Sequence, residues 1–328
     1  MMTQKATLAD VAAVAGVSKM TASRALRGAP EVSQLSRDRV QQAAAQIGYV
    51  ANPLAASLSS KRTQLVGVVV PSLTNTVFAE MLTGIVETIE GSGLQPVFGV
   101  TNYNPDTELD VLRNMLSWRP AGLIVTGLDH PEAAKILLRQ SEQTLVQVMD
   151  VDGTAIGNCV GISHTQAGAE MARTLLASGA RKIGYVNCTQ IFDIRATKRL
   201  DGFRGALRDA GLEITAIQTS DTPSSAPAGR AQTRQLMQEH PDLDAIYYSN
   251  DDLAAGGLFH CLAQGICVPK GVILAGFNGL EFSESLPAQI VTTRTPRREI
   301  GQIAAQMVLD GDTDKCVQLM PQIVYLGG

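Results

Sequence analysis

The chain has 328 residues, 45% hydrophobic and 18% charged, which suits two or three globular domains and excludes a disordered or fibrous protein. Its formal net charge of −4, from 27 Lys and Arg against 31 Asp and Glu, argues as an average against a nucleic-acid-binding protein. The average hides an asymmetry: residues 1–62 hold eight basic residues against three acidic ones, so a head of +5 precedes a body of −9.

The first residues, MMTQKATLADVAAVAG, hold no apolar stretch long enough for a signal peptide. No run approaches the roughly 18 apolar residues of a membrane span, so a cytoplasmic protein with no membrane partner is expected. Thr7 and Asp10 have the spacing of a capping box, and Leu8, Val11, Ala12 and Ala15 then share one helical face. Gly16 ends that helix, Val17 anchors a turn, and Ser18 caps a second helix reaching about Leu26. This is a helix-turn-helix pattern, closed by a third helix from about Ser36 to Gln46 that supplies Val40 and Ala44, with Ile47, to a very small core.

Lys19, Met20 and Arg24 fall on the exposed side of the second helix near its start. Arg24 suits a two-bond contact to guanine, Lys19 reaches guanine or phosphate, and Met20 packs on a thymine methyl. Ser18, Thr21 and Ser23 are short donors suited to phosphates. The alternative is a solvated amphipathic helix in a bundle. Residues 51–63 then read as a small, polar linker, in which Pro53 and the stretch 55–58 allow a helix too short to be stable alone.

From Leu65 onward, short apolar runs alternate with helical stretches. Strands are expected at 65–70, 96–100, 122–126 and 145–149, and in a second series at 182–187, 214–219, 245–249 and 272–277. The fold class is therefore α/β, with two doubly wound parallel-sheet lobes after the helical head. Ligands of such sheets bind beyond the carboxyl ends of the strands. The residues there are Asn75, Val77 and Phe78; Asp150; Asp193, Arg195 and Arg199; Asn250 and Asp252; and Asn278. One aromatic ring, several amides, carboxylates and two arginines suit a small polyhydroxylated ligand carrying an acid group, with arginine as the two-bond clamp for a carboxylate.

Nothing in the sequence has the spacing of a phosphate loop, a nucleophile elbow or a zinc-protease helix, and no enzyme, cofactor or metal is expected. His130, His164, His240 and His260 are expected at the surface or at caps. Cys159, Cys188, Cys261, Cys267 and Cys316 contain no C-x-x-C pair and are expected as reduced thiols.

TLADVAAVAGVSKMTASRALRG, followed by Val32-Ser33 and by IGYVAN at 47–52, resembles the DNA-binding head of the LacI/GalR family of bacterial repressors. The resemblance implies a DNA-binding domain at 1–50, a hinge at 51–63 and an effector-binding and dimerisation core at 64–328. In that core, lobe 1 spans about 64–160 and 294–318, and lobe 2 about 161–293 and 319–328. It implies base contacts from Lys19, Met20 and Arg24 and phosphate contacts from Thr7, Ser18, Thr21, Ser23, Ser33 and Asn52, and it places Tyr49, just before the hinge, among the DNA-binding residues. Leu58 matches the leucine with which the family wedges the minor groove. Ala51 and Ala56 depart from a proline and an arginine common at those positions, and the second change removes one contact to DNA.

VGVVVPSLTNTVFAE, GLIVTG, RLDGFRGAL, SNDDLAAGGL and LAGFNG resemble the family's periplasmic-binding-protein-like core. They imply an effector cleft formed by Asn75, Phe78, Asp150, Arg195, Arg199, Asn250, Asp252 and Asn278. Asn278 replaces an aspartate common in sugar-responsive members, which removes repulsion toward an anion. SKMTASRALR, NMLSW, VMD and NDDLA are similar to the gluconate-operon repressors of this family, implying gluconate, a related aldonate or its phosphate as inducer. The expected partners are near-palindromic operator DNA, the effector and a second copy of the chain, with dimer contacts near 77–91 and 104–116. A solute-binding protein and a sugar-processing enzyme are the rival classes.

Overall fold

The computed structural model describes residues 6–50, 63–188 and 194–328. The hinge, with Ala51, Asn52, Ala56 and Leu58, and Asp193 lie outside the described residues. Two units emerge, 1–63 and 64–328.

The first unit holds α1 (Leu8–Ala15), α2 (Lys19–Leu26) and α3 (Gln34–Gln46). The capping box forms: the Asp10 amide donates to Thr7 Oγ1, and the Thr7 amide donates to Asp10 Oδ2 at 2.8 Å. Gly16 takes the left-handed conformation, φ 64°, and turns the chain into α2. Ser18 and Ser33 accept from the amides of Thr21 and Ser36, so each helix starts on a hydroxyl cap. The core beneath is alanine and valine throughout: Val11, Ala12, Ala15, Ala22, Ala25, Val32, Val40, Ala43 and Ala44. Small side chains let three short helices approach closely, and Ile47 and Tyr49 close the edge.

In the second unit, one sheet contains β1 (Leu65–Val70), β2 (Gln95–Val100), β3 (Gly122–Thr126), β4 (Thr144–Val148), β5 (Asn158–Gly161) and β11 (Cys316–Gln318). Its order is β11-β5-β4-β3-β1-β2, and all of its pairs are parallel. The other contains β6 (Ile183–Cys188), β7 (Ala216–Ser220), β8 (Ala245–Tyr248), β9 (Ile273–Asn278), β10 (Ile290–Arg294) and β12 (Gln322–Leu326). Its order is β12-β10-β9-β8-β6-β7, and only β12 runs antiparallel, against β10. Each sheet thus recruits one late strand, so the chain crosses between lobes three times, after β5, β10 and β11.

The helices are α4 (Thr76–Ile89), α5 (Pro105–Ser117), α6 (Glu132–Arg139), α7 (His164–Ala177), α8 (Ile194–Asp209), α9 (Ala226–Glu239), α10 (Asp251–Ala263) and α11 (Arg297–Asp310). Three helix pairs cross at matched glycines. In α7 and α8, a methyl at Gly168 would stand 1.9 Å from the Arg199 carbonyl oxygen, and one at Gly202 1.9 Å from that of Thr165. Gly84 with Gly301 joins α4 to α11 in the same way, and Gly229 with Gly256 joins α9 to α10. Backbone-to-backbone contact at these points fixes where the side chains flanking each crossing end up.

One expectation is corrected here. Cys159 and Cys316 are joined by a disulfide, because the parallel β5–β11 register sets them opposite each other although they are 157 residues apart in sequence. Cys188, Cys261 and Cys267 are free thiols.

Candidate functional site: a basic helix and a polar cleft

On the head, Lys19, Met20 and Arg24 are exposed, with Met20 at 64%. Neither Lys19 nor Arg24 makes an ion pair or side-chain hydrogen bond among the described residues. Thr7, Ser18 and Ser33 are the cap residues of the three helices, and their neighbouring amides belong to the electropositive ends that suit phosphate oxygens. Thr21 and Ser23 are half-buried on α2, and Tyr49 is half-buried against the head's core. An exposed thioether with exposed cations near the start of α2 can meet base edges and phosphates together.

In the body, the carboxyl ends of the strands open on a cavity of about 630 Å³ between the lobes. Seven of the eight expected cleft residues line it: Asn75, Phe78, Arg195, Arg199, Asn250, Asp252 and Asn278. Asn75 caps α4 through Oδ1 and donates from Nδ2 to the Tyr103 hydroxyl at 3.4 Å. Asn250 caps α10, its Oδ1 accepting from the Leu253 amide. The Arg195 guanidinium lies 5.7 Å from the Phe78 ring centroid, a cation–π contact across the two lobes. Burial pushes the Asp252 carboxyl above the ordinary carboxylate range.

Asp150, the eighth, is a correction. Its side chain is fully buried and does not line the cavity, because Lys198 takes it. Lys198 Nζ donates to Asp150 Oδ2 at 2.6 Å, to Asp129 Oδ2 at 2.5 Å and to the Asp152 carbonyl at 2.8 Å. Burial opposes the lysine's charge, but the two aspartates more than offset it and its pKa is raised. Asp150 is thus half of an ion clasp between the first lobe and α8.

A second correction concerns the histidines. His164 is 3% exposed and lines the cavity, its Nε2–H donating to the Met149 carbonyl at 2.8 Å. That bond leaves Nδ1 as a lone-pair acceptor for Arg199 Nη1, at 3.1 Å. Arg199 in turn donates from Nη2 to the Ser249 carbonyl at 3.0 Å and stacks 3.9 Å from the centroid of Phe277. Among the described residues its Nε–H has no acceptor. His130 is buried too, with Nδ1 2.6 Å from Glu108 and Nε2 2.9 Å from Gln147.

Backbone strain gathers at the same place. Asn102, Tyr103, Met149 and Asn278 are non-glycine residues at positive φ, and all four line the cavity. Such conformations persist where the surroundings over-determine them, a pattern typical of ligand sites. The alternation of apolar runs with helices gave no sign of these positions; only Asn278, at a strand end, was legible.

The fold and these two surfaces define a DNA-binding regulator with a small-molecule cleft. Residues 7–52 match the family described as bacterial regulatory proteins of the LacI family, and 63–325 match the periplasmic binding proteins and sugar-binding domain of the LacI family. The chain belongs to the LacI family and is a DNA-binding transcriptional regulator. A relative in Pseudomonas aeruginosa, the HTH-type transcriptional regulator GntR, is 39% identical over 94% of this chain and 89% of its own. The crystal structure of a LacI-family transcriptional regulator from Silicibacter pomeroyi matches with a TM-score of 0.93 and 44% identity, over 98% of each chain. The lac repressor dimer bound to operator and an anti-inducer, at a TM-score of 0.85 and 24% identity over 98% of each chain, shares the fold. These relatives and fold neighbours are regulators, not enzymes. Among the described residues no helix is long and apolar enough to cross a membrane.

Proposed function

We propose that this protein is a cytoplasmic, homodimeric repressor of a sugar-acid utilisation operon, released from its operator when gluconate or a related aldonate enters the cleft. The observation that carries the reading is a polar cavity whose wall holds Arg195, Arg199 and the amides of Asn75, Asn250 and Asn278, the buried Arg199 Nε–H having no acceptor among the described residues. Guanidinium groups in the cavity wall suit a carboxylate through charge-assisted bonds, and the amides and Asp252 suit the hydroxyls of the polyol chain. Relatives named GntR support the sugar-acid assignment.

On the head, Lys19, Met20 and Arg24 read bases while Thr7, Ser18, Thr21, Ser23, Ser33 and, outside the described residues, Asn52 hold phosphates. Leu58 supplies the hinge wedge, and Tyr49 positions the chain as it leaves the head. Two copies read two half-sites of a near-palindromic operator, because a two-fold protein matches two-fold DNA. Effector and operator then oppose each other by equal factors. A gel-shift titration on the gene's own upstream DNA tests this: gluconate should lower operator affinity, and added salt should weaken binding steeply. DNA binding without response to gluconate or its 6-phosphate removes the aldonate assignment, and no specific binding removes the repressor.

A further inference from the structure

We propose that His164 is a positioning residue for the anion-binding edge of Arg199, acting as an obligate neutral acceptor in its Nε2–H form. The inference deepens the aldonate reading of the cleft and rests on it for the identity of the ligand.

Arginine presents its donors in a fixed fork, so holding two of its nitrogens sets the direction of the third. Here Nη1 is held by His164 Nδ1, Nη2 by the Ser249 carbonyl, and the guanidinium plane by the Phe277 ring. What is left for a carboxylate is the second N–H of each Nη together with Nε–H, which has no acceptor among the described residues although the guanidinium also faces the buried Tyr247 hydroxyl. Ser249 contributes backbone and Phe277 an apolar face, whereas His164 is the one acceptor in this set whose hydrogen-bonding role depends on its protonation state.

The tautomer is enforced from the other side. Met149 follows the first lobe's β4 at φ 76°, and its carbonyl accepts from Nε2–H, so the proton cannot move to Nδ1 without breaking that bond. The matched glycines Gly168 and Gly202 bring α7 against α8 closely enough for the ring to reach Arg199. Among the described residues, the charged groups acting on the ring are Arg199, Arg195 and Lys198, all on α8. Lys198 is neutralised by Asp129 and Asp150 of the first lobe, and Asp152 is engaged by the Thr165 amide at the start of α7. From the other elements, the Met149 carbonyl and the Phe277 ring meet it. Burial, reinforced by these cations, holds the imidazole well below its ordinary pKa, so the acceptor persists at neutral pH.

The test uses the full chain. With ¹⁵N-labelled histidine and no ligand, His164 should show the neutral Nε2–H tautomer from pH 8 down to pH 6. An imidazolium or an Nδ1–H tautomer at pH 7 overturns the proposal whatever the ligand proves to be. Titration calorimetry with gluconate should then show His164→Ala weakening binding at least about tenfold, and His164→Gln, whose amide oxygen accepts from Arg199, recovering to within about threefold of the native chain. Circular dichroism melts confirm that both variants fold. If the glutamine variant is as weak as the alanine one, or the alanine variant binds as the native chain does, His164 has no positioning role. A native chain that binds no gluconate overturns the aldonate reading, while the tautomer measurement still decides the pairing.

Discussion

The head and the body place their functional polar groups in opposite ways. In the head, Lys19 and Arg24 lie exposed on the outside of a core of alanine and valine, with no ion pair or side-chain hydrogen bond among the described residues. In the body, the functional polar groups are inside, and partners have taken much of their bonding capacity: Arg199 by His164 and Ser249, and Asp150 by Lys198. A surface that meets a polyanion needs loose charges, since each is satisfied by phosphate on arrival. A cleft that recognises a small molecule needs fixed ones, since an unheld arginine would spend binding energy on being ordered.

The sharpest break of that contrast is at the α7–α8 crossing. Gly202→Ala puts a methyl against a backbone carbonyl, and we expect it to destabilise the body by at least the roughly 1–3 kcal/mol of ordinary overpacking. Thermal unfolding measures this; a body as stable as the native one would show that the helices can separate freely. Next is Arg24→Ala, expected to cost about 1–3 kcal/mol at one operator position and to relax sequence choice there. Competition binding on single-base operator variants reads the effect, and an equal loss on every sequence would make Arg24 a phosphate contact. For the body, Arg199→Ala should abolish the gluconate response while the salt slope of operator binding stays unchanged, because no phosphate contact is removed. A changed slope in a filter-binding series would contradict the separation of tasks.

Two carboxylates, one from each region, differ in pH sign. Burial raises the Asp251 carboxyl to about 6, against hydrogen bonds from Thr292 and from the Leu280 amide. A raised acid contributes stability that is complete below its unfolded value and is lost as pH rises through about 6. Asp10 in the head is the reverse: its bonds to Thr7 hold it down, so its contribution is present above the unfolded value and lost as pH falls below it. Comparing Asp251→Asn with the native chain from pH 4.5 to 7, the stability difference should shrink as pH rises, and calorimetric melts follow it. A difference constant with pH would place Asp251 outside this linkage. The smallest effect expected is Thr7→Ala, about 1 kcal/mol of α1 stability from a lost cap. Amide exchange at the start of α1 detects it.

Where the sequence was readable, residue type alone carried the chemistry. The capping box, Gly16, the exposed Lys19-Met20 pair and the eight expected strands depend on neighbours a few positions away. β5, β10, β11 and β12 went unread for physical reasons. β10 carries the buried Thr292 and Thr293, which interrupt its apolar pattern, and β11 is three residues long and held by a strand far away in the chain. Six polar cleft residues and Phe78 were legible at strand ends. Asp150 was misplaced and His164 missed because their roles depend on Lys198 and Arg199, which approach only when α8 folds back. The Cys159–Cys316 pairing was hidden by the same kind of distance.

The matched glycines have a further consequence for how such a chain can vary. At an ordinary helix contact, a larger residue on one side can be accommodated by a smaller one opposite. At Gly168 with Gly202, Gly84 with Gly301 and Gly229 with Gly256, both sides already stand at the smallest residue there is, and the atom in the way is main chain. Each pair is therefore a dead end for compensation: no second substitution in the facing residue restores a lost crossing, and variation in the cleft must proceed around these six positions.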